Sequence, residues 1–267
     1  MRRALPSTLA CVALLAAGCA AGGPESPGVA PKAAPPSASA AATTEADHTR
    51  TVRKSVEGLT TARTAYRWEV GKPGATYALT GEGGHDFARE RGSVVVKLEG
   101  AARFEEVFTP DRLYIRGTAG EESVGWTFVD RADVRSQRIL KAPGNDPGFL
   151  LRQVVLGQDY RRLAEEDVAG ASATRYRGRL TQAALTLDMS PEARKKVEQM
   201  REMLGGSIPA TADVWIDGRG RLLRLRLEMN IEGVVRSTTT LTLSAQGEPV
   251  TVRVPVGAVE ADTSTLV

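Results

Sequence analysis

The spacing of hydrophobic positions changes along the chain, and each change predicts an element. From about Glu45 to Arg63 a helix is expected, with Val52, Val56 and Leu59 at helical spacing. Beyond it, apolar and polar residues alternate in short runs, the pattern of strands with one buried face. Tyr66, Trp68 and Val70 share a face, and so do Tyr77 and Leu79. Val94, Val96 and Leu98 oppose Val95, Lys97 and Glu99. Phe104 and Phe108 flank Glu106, Leu113 and Ile115 alternate with Tyr114 and Arg116, and Trp126 and Phe128 close the group. Gly, Pro and Asp fall between these runs, where turns are expected. Gly81-Glu82-Gly83-Gly84 reads as a hairpin loop.

Helical spacing then returns. Asp146-Pro147-Gly148 opens a stretch with Leu150, Leu151, Val154 and Val155 on one side. Ser190-Pro191-Glu192 starts a second helix, since the Ser190 hydroxyl suits a cap and Pro191 the first helical position. Its stripe is Ala193, Val197, Met200 and Leu204, with Met203 adjacent, and Gly205-Gly206 ends it. Val214-Trp215-Ile216 resumes a strand and runs into the turn Asp217-Gly218-Arg219-Gly220. The next strand points Leu223, Leu225, Leu227, Met229 and Ile231 one way and Arg224, Arg226, Glu228 and Asn230 the other. Thr239 to Ser244 and Val250 to Val254 complete the set, separated by Gly247-Glu248-Pro249. The fold class expected is α+β, a large antiparallel sheet with a few helices packed on one face.

The N-terminus has a different character. Arg2 and Arg3 precede an apolar stretch from about Ala4 to Leu15, roughly a dozen residues where ~20 are needed to span a bilayer. It reads as the core of a signal peptide covering residues 1–18. The stretch ends in Leu15-Ala16-Ala17-Gly18-Cys19, which resembles a lipobox with Ala16 in place of the usual leucine. Cleavage before Cys19 and its acylation, with palmitate among the chains, are the expectation. Two or three acyl chains suffice to hold a protein on a membrane, at roughly 0.8 kcal/mol per buried CH2. The rest of the chain would then stand on the extracytoplasmic face of the cell membrane. Residues 19–46 are Ala, Gly, Pro and Ser with almost no large apolar side chain, a composition that reads as a disordered tether. As a flexible coil its ends would lie about 30 Å apart.

Cysteine and charge narrow the chemistry. Of the two cysteines, Cys11 lies in the segment expected to be removed, which leaves Cys19 as the lone thiol. An internal disulfide, a cysteine nucleophile and a thiolate metal site are thereby excluded. The charge of +3 is small, and Arg2 and Arg3 supply most of it, so no nucleic-acid partner is expected. His48 and His85 have no neighbour at metal-ligand spacing and read as surface-loop residues. No nucleophile elbow or phosphate-binding loop is present, and no catalytic residue, cofactor or metal is assigned. Glu105-Glu106 and Glu165-Glu166-Asp167 offer paired carboxylates but read as solvated. Arg175, Arg177 and Arg179 share a strand face, as do Arg224 and Arg226. They face either anionic headgroups or, balanced by acids elsewhere, the solvent outside the sheet.

Several short motifs occur in a recognisable order: Asp111-Arg112-Leu113-Tyr114-Ile115, Gly125-Trp126-Thr127-Phe128-Val129-Asp130, Asp146-Pro147 with its leucines, and Val168-Ala169-Gly170 before Thr174-Arg175-Tyr176. Val214-Trp215-Ile216-Asp217 and Gly247-Glu248-Pro249-Val250, ending at Pro255, complete it. Over nearly all of residues 50–256 this order resembles the LppX/LprG-type lipoproteins of actinobacteria, relatives of the LolA/LolB lipoprotein carriers. The resemblance implies a strongly curved half-barrel sheet over residues 47–258, with helices on its concave face and a tail at 259–267. It also implies a cavity for the acyl chains of a lipid or glycolipid, and a carrier rather than an enzyme. The candidate lining residues are Leu223, Leu225, Leu227 and Met229, then Val94, Val96 and Leu98, and finally Leu151, Val155, Val197, Met200 and Leu204. The same alternation would arise from a filled core in a module that binds another envelope protein, and the residues alone leave that alternative open.

Overall fold

The computed structural model describes residues 38–72 and 74–261. The first alternating stretch folds into consecutive hairpins, β1 (Thr61–Lys72), β2 (Ala75–Asp86), β3 (Arg91–Leu98), β4 (Ala102–Phe108), β5 (Arg112–Ala119) and β6 (Glu122–Asp130). The second group is β7 (Gln158–Val168), β8 (Ala171–Arg179), β9 (Ala210–Asp217), β10 (Leu222–Ile231) and β11 (Val235–Ser244). All join one open sheet in the order β12-β6-β5-β4-β3-β2-β1-β11-β10-β9-β8-β7, where β12 is Val259–Glu260. The two groups are meanders that run outward from a shared centre, where β11 returns to lie beside β1. Every pairing is antiparallel except β12 on β6.

Helices α1 (Ala38–Glu57), α2 (Pro147–Val155), α3 (Gln182–Leu185) and α4 (Pro191–Met203) pack on one face of the second meander. Each brings an apolar stripe to the sheet. Val52 of α1, Phe149, Leu150 and Val154 of α2, Leu185 of α3 and Val197 of α4 meet Val214, Leu225, Leu227 and Leu241 in one core. The expected α+β architecture is thus the one adopted. Asp146 caps α2 by accepting from the Gly148 amide at 2.8 Å, and Ser190 caps α4 through the Ala193 amide at 3.2 Å. Pro147 and Pro191 occupy the first turns, where no amide donor is needed. Gly205 and Gly206 take positive φ after α4, as a helix stop requires.

The structure departs from the sequence reading at several places. α1 starts at Ala38 and ends at Glu57, so it includes the last part of the segment read as tether and stops short of Arg63. The glycines at 81, 83 and 84 lie inside β2, not in a loop. A Cβ on Gly83 would stand 1.9 Å from the Ser93 carbonyl oxygen, so their role is close strand approach. His85 follows them into the interior, 2% exposed against Phe87 and Phe108, and its burial lowers its pKa. His48 lies in α1 against the Tyr176 ring. Val250–Val254 runs without strand pairing between Pro249 and Pro255, which supply no amide donors. Val259 and Glu260, read as tail, add the parallel strand.

Candidate functional site

None of the four α-helices contributes to the core on the β3–β6 half of the sheet. Its inner face forms a smaller core of Val94, Val96, Phe108, Leu113 and Val129. Over it runs an irregular segment, residues 131–146, that joins β6 to α2. No hydrophobic period marks this roof; it is held by specific bonds. The Arg131 guanidinium donates to the Glu90 and Thr109 carbonyls and to the Asp146 carboxylate at 2.6 Å. Ser136 bridges to Met189, and the Thr239 hydroxyl donates to the Leu140 carbonyl. Leu140, Gly144 and Asn145 all adopt positive φ, which lets the chain fold back on itself in a short space.

Between roof and sheet lies a cavity of ≈ 530 Å³. Trp68 and Val70 of β1, Leu79 of β2, Leu113 and Ile115 of β5 and Val129 of β6 give it apolar walls. At its exposed end stand Tyr77, 68% exposed, Leu98, 37% exposed, and the exposed guanidiniums of Arg135 and Arg138. A second cavity of ≈ 330 Å³ lies against α4 and the ends of β10 and β11. Trp68, Val70, Gln137 and Arg138 line both.

The buried end of the larger cavity is polar. Glu106 projects from β4 between Phe104 and Phe108 on the apolar face and is 4% exposed. It accepts from the Asn145 side-chain amide at 2.6 Å. Burial pushes the Glu106 carboxyl up to about 8, against the Asn145 hydrogen bond and the attraction of Lys141, and with the repulsion of Asp146. Lys141 is itself lowered by burial, partly offset by Glu106. Glu105, the neighbour read with Glu106 as a solvated pair, does face outward and binds Arg103 and Arg116.

The candidate lining residues are dispersed. Leu98 lines the larger cavity, and Val197, Met200 and Met229 line the smaller one. Leu225 and Leu227 are fully buried in the main core with Leu151, and line neither. Val94 and Val96 are buried in the smaller core under the roof and line neither cavity. Val155 and Leu204 are half-buried at helix ends and line neither cavity. Leu223 is a correction: a register shift between Leu222 and Arg224 puts Leu222 in the main core and turns Leu223 to the other face, beside Trp215. Cys19 lies outside the described residues.

Outside the sheet, the arginine pattern has a structural role. Arg175 and Arg177 each clamp Asp213 with two hydrogen bonds of 2.8–3.0 Å. Arg179 binds Asp159, and Arg226 binds Glu228. Glu166 accepts from the Trp215 indole at 2.8 Å and from Arg175 at 3.1 Å. The residues missed by the sequence reading are Glu106, Asn145, Lys141 and the roof. One signal for Glu106 was present, because alternation placed it on the face of Phe104 and Phe108.

No protein-family model matches the chain, and no curated protein matches it in sequence. Among solved structures it is similar to the lipoprotein LppX of Mycobacterium tuberculosis, with 16% identity over 79% of this chain and 99% of that one and a TM-score of 0.47. For LprF of Mycobacterium bovis the values are 16%, 80%, 98% and 0.48. A LolA superfamily protein of Nitrosomonas europaea is 9% identical over 76% and 92%, with a TM-score of 0.29.

Proposed function

We propose that this protein takes acyl chains of a lipid or glycolipid into its larger cavity and carries or presents them in the cell envelope. The observation that carries this reading is the apolar space of ≈ 530 Å³ under the roof, open at Tyr77 and Leu98. Its volume falls within the roughly 300–1,000 Å³ of small-molecule sites. Removal of hydrocarbon from water supplies the affinity, at roughly 25 cal/mol per Å². Arg135 and Arg138 at the mouth suit an anionic headgroup that stays in water. Acylation of Cys19 in the lipobox-like sequence would hold the chain on the extracytoplasmic membrane face, where such ligands are found. No helix among the described residues is long and apolar enough to cross a membrane.

Native mass spectrometry of the chain with Cys19→Ser, purified from a lipid-containing host, tests the proposal. A bound mass that extracts into organic solvent is expected. A ligand-free mass that persists after incubation with envelope lipids would overturn the reading in favour of a protein-binding module.

A further inference from the structure

Arg131 at the start of the roof and Arg152 in the helix that follows it are each held by a carboxylate, Asp146 at 2.6 Å and Asp188 at 2.7 Å. Three cations between them are not. The side chains of Arg135, Arg138 and Lys141 make no hydrogen bond or ion pair among the described residues, and all three residues line the larger cavity. Arg135 and Arg138 are exposed and Lys141 is half-buried. The Lys141 ammonium lies 6.0 Å from the centre of the Trp68 ring, and Trp68 and Arg138 line both cavities. Its Nζ is not sealed from solvent, whereas the Tyr66 hydroxyl, Glu106 Oε2 and Asn145 Oδ1 are buried without partners and closed to any ligand.

The surrounding charges leave this group unbalanced. Burial lowers the Lys141 pKa, Glu106 opposes the shift and Arg138 adds to it, so the two cations stand close enough to repel. Glu106 carries little charge at neutral pH, because burial raises its carboxyl to about 8. The other acids are Asp133, exposed on the larger lining, and Glu192, which shares the smaller lining with Lys196. Like charges gathered beside an apolar space raise the energy of the empty protein and contribute nothing to holding a neutral lipid.

We propose that the cavity selects acyl lipids whose headgroup carries a phosphate, and that Arg135, Arg138 and Lys141 hold that phosphate. This inference rests on the acyl-binding reading above and adds the class of lipid. A guanidinium pairs with phosphate through two parallel N–H donors, and an ammonium adds a point charge with three donors. Lys141, half-buried over Trp68, sets the phosphate where the apolar wall ends and the exposed arginines begin.

The test compares oleoyl lysophosphatidate with monoolein, which share chain and glycerol and differ by the phosphate. Each is used to displace a fluorescent acyl probe with an uncharged head from the full chain with Cys19→Ser. Lysophosphatidate is expected to bind about tenfold more tightly, equivalent to about 1.4 kcal/mol. That margin should shrink as salt is raised from about 0.05 to about 0.5 M, because screening strengthens. Combining Arg135→Gln, Arg138→Gln and Lys141→Gln should bring the ratio of affinities close to one. Should that variant fail to fold, the exposed pair Arg135→Gln and Arg138→Gln is read instead, with a reduced ratio expected. Equal affinity for the two lipids in wild type, or an unchanged ratio in the variants, overturns the phosphate site and leaves the acyl cavity standing. Displacement by inorganic phosphate alone, as strong as that by lysophosphatidate, assigns the cations to a free anion and overturns the headgroup site. Failure of both lipids to bind defeats the acyl-binding reading itself.

Discussion

The Asn145 side-chain amide donates to Glu106 Oε1 at 2.6 Å, and this bond ties the irregular roof to the inner face of the sheet. It joins residues 39 apart in sequence and adds to the bonds that Arg131 and Thr239 make between roof and sheet. Its two partners also set the polarity of the cavity's buried end. One bond thus belongs both to the tie between roof and sheet and to the lining of the cavity.

The raised pKa of Glu106 makes a prediction about pH. Its folded value of about 8 exceeds the unfolded value, so the folded state binds more protons between about pH 4.3 and 8. Stability from this group is therefore full below that window and falls as pH rises through it, by at most about 1.4 kcal/mol per unit. His85, lowered by burial, acts in the opposite sense on the acid side, so the wild-type curve alone does not isolate Glu106. The difference in urea unfolding between wild type and Glu106→Gln should grow in favour of the variant from pH 5 to 8. A pH-independent difference would refute the assignment.

Asp213 supplies a contrasting case outside the sheet. Burial pushes its carboxyl up, but the hydrogen bonds from Arg177 and Arg175 outweigh it and hold its pKa below the usual value. Asp213→Ala should destabilise the fold by about 2–3 kcal/mol, below the most costly broken pairs because Arg177 remains 45% exposed to water. Arg179→Ala breaks the exposed pair with Asp159 and should cost under about 1 kcal/mol. Chemical denaturation of the two variants side by side would show the ordering, and equal losses would contradict it.

Most of the sheet was legible because its strands bury one face. Along β1, Ala62, Thr64, Tyr66 and Trp68 are buried in alternation with exposed residues, and the sequence carries that period openly. β7 was not legible, since it is an edge strand whose side chains are almost all exposed and polar, with Tyr160 and Val168 the buried exceptions. The alternation of β10 predicted the correct face from Leu225 to Ile231 and failed at Leu223, where a register shift adds a residue. The roof has no period to read, because its shape depends on positive φ at Leu140, Gly144 and Asn145 and on distant partners such as Thr239. Glu106 was visible on an apolar face but was read by residue type, and its burial depends on that roof.

Gly83 offers a test of strand packing. A side chain there would meet the Ser93 carbonyl oxygen at 1.9 Å, a backbone atom that cannot rotate away. Gly83→Ala should lower stability by about 1–3 kcal/mol, the usual range for overpacking. Gly100, with open space around its Cβ position, has φ of +70°, so Gly100→Ala tests backbone strain without a clash. Thermal melts should rank Gly83→Ala as the more damaging; the reverse ranking would place the close contact elsewhere.

Leu225 and Leu98 separate core from cavity. Both were read as lining, but Leu225 is fully buried between sheet and helices while Leu98 stands 37% exposed at the mouth. Leu225→Ala should cost about 2–5 kcal/mol in stability, because it removes packed methyl groups and leaves a void. Once folded, that variant should bind a fluorescent fatty acid as wild type does. Leu98→Ala should change stability by less than about 1 kcal/mol, since little of the side chain is withdrawn from water. Its fatty-acid affinity should fall, because the side chain forms part of the apolar wall that a chain would cover. Paired melts and titrations decide the matter: weakened binding in Leu225→Ala with Leu98→Ala unaffected would move the site from beneath the roof to the helix-covered half of the sheet.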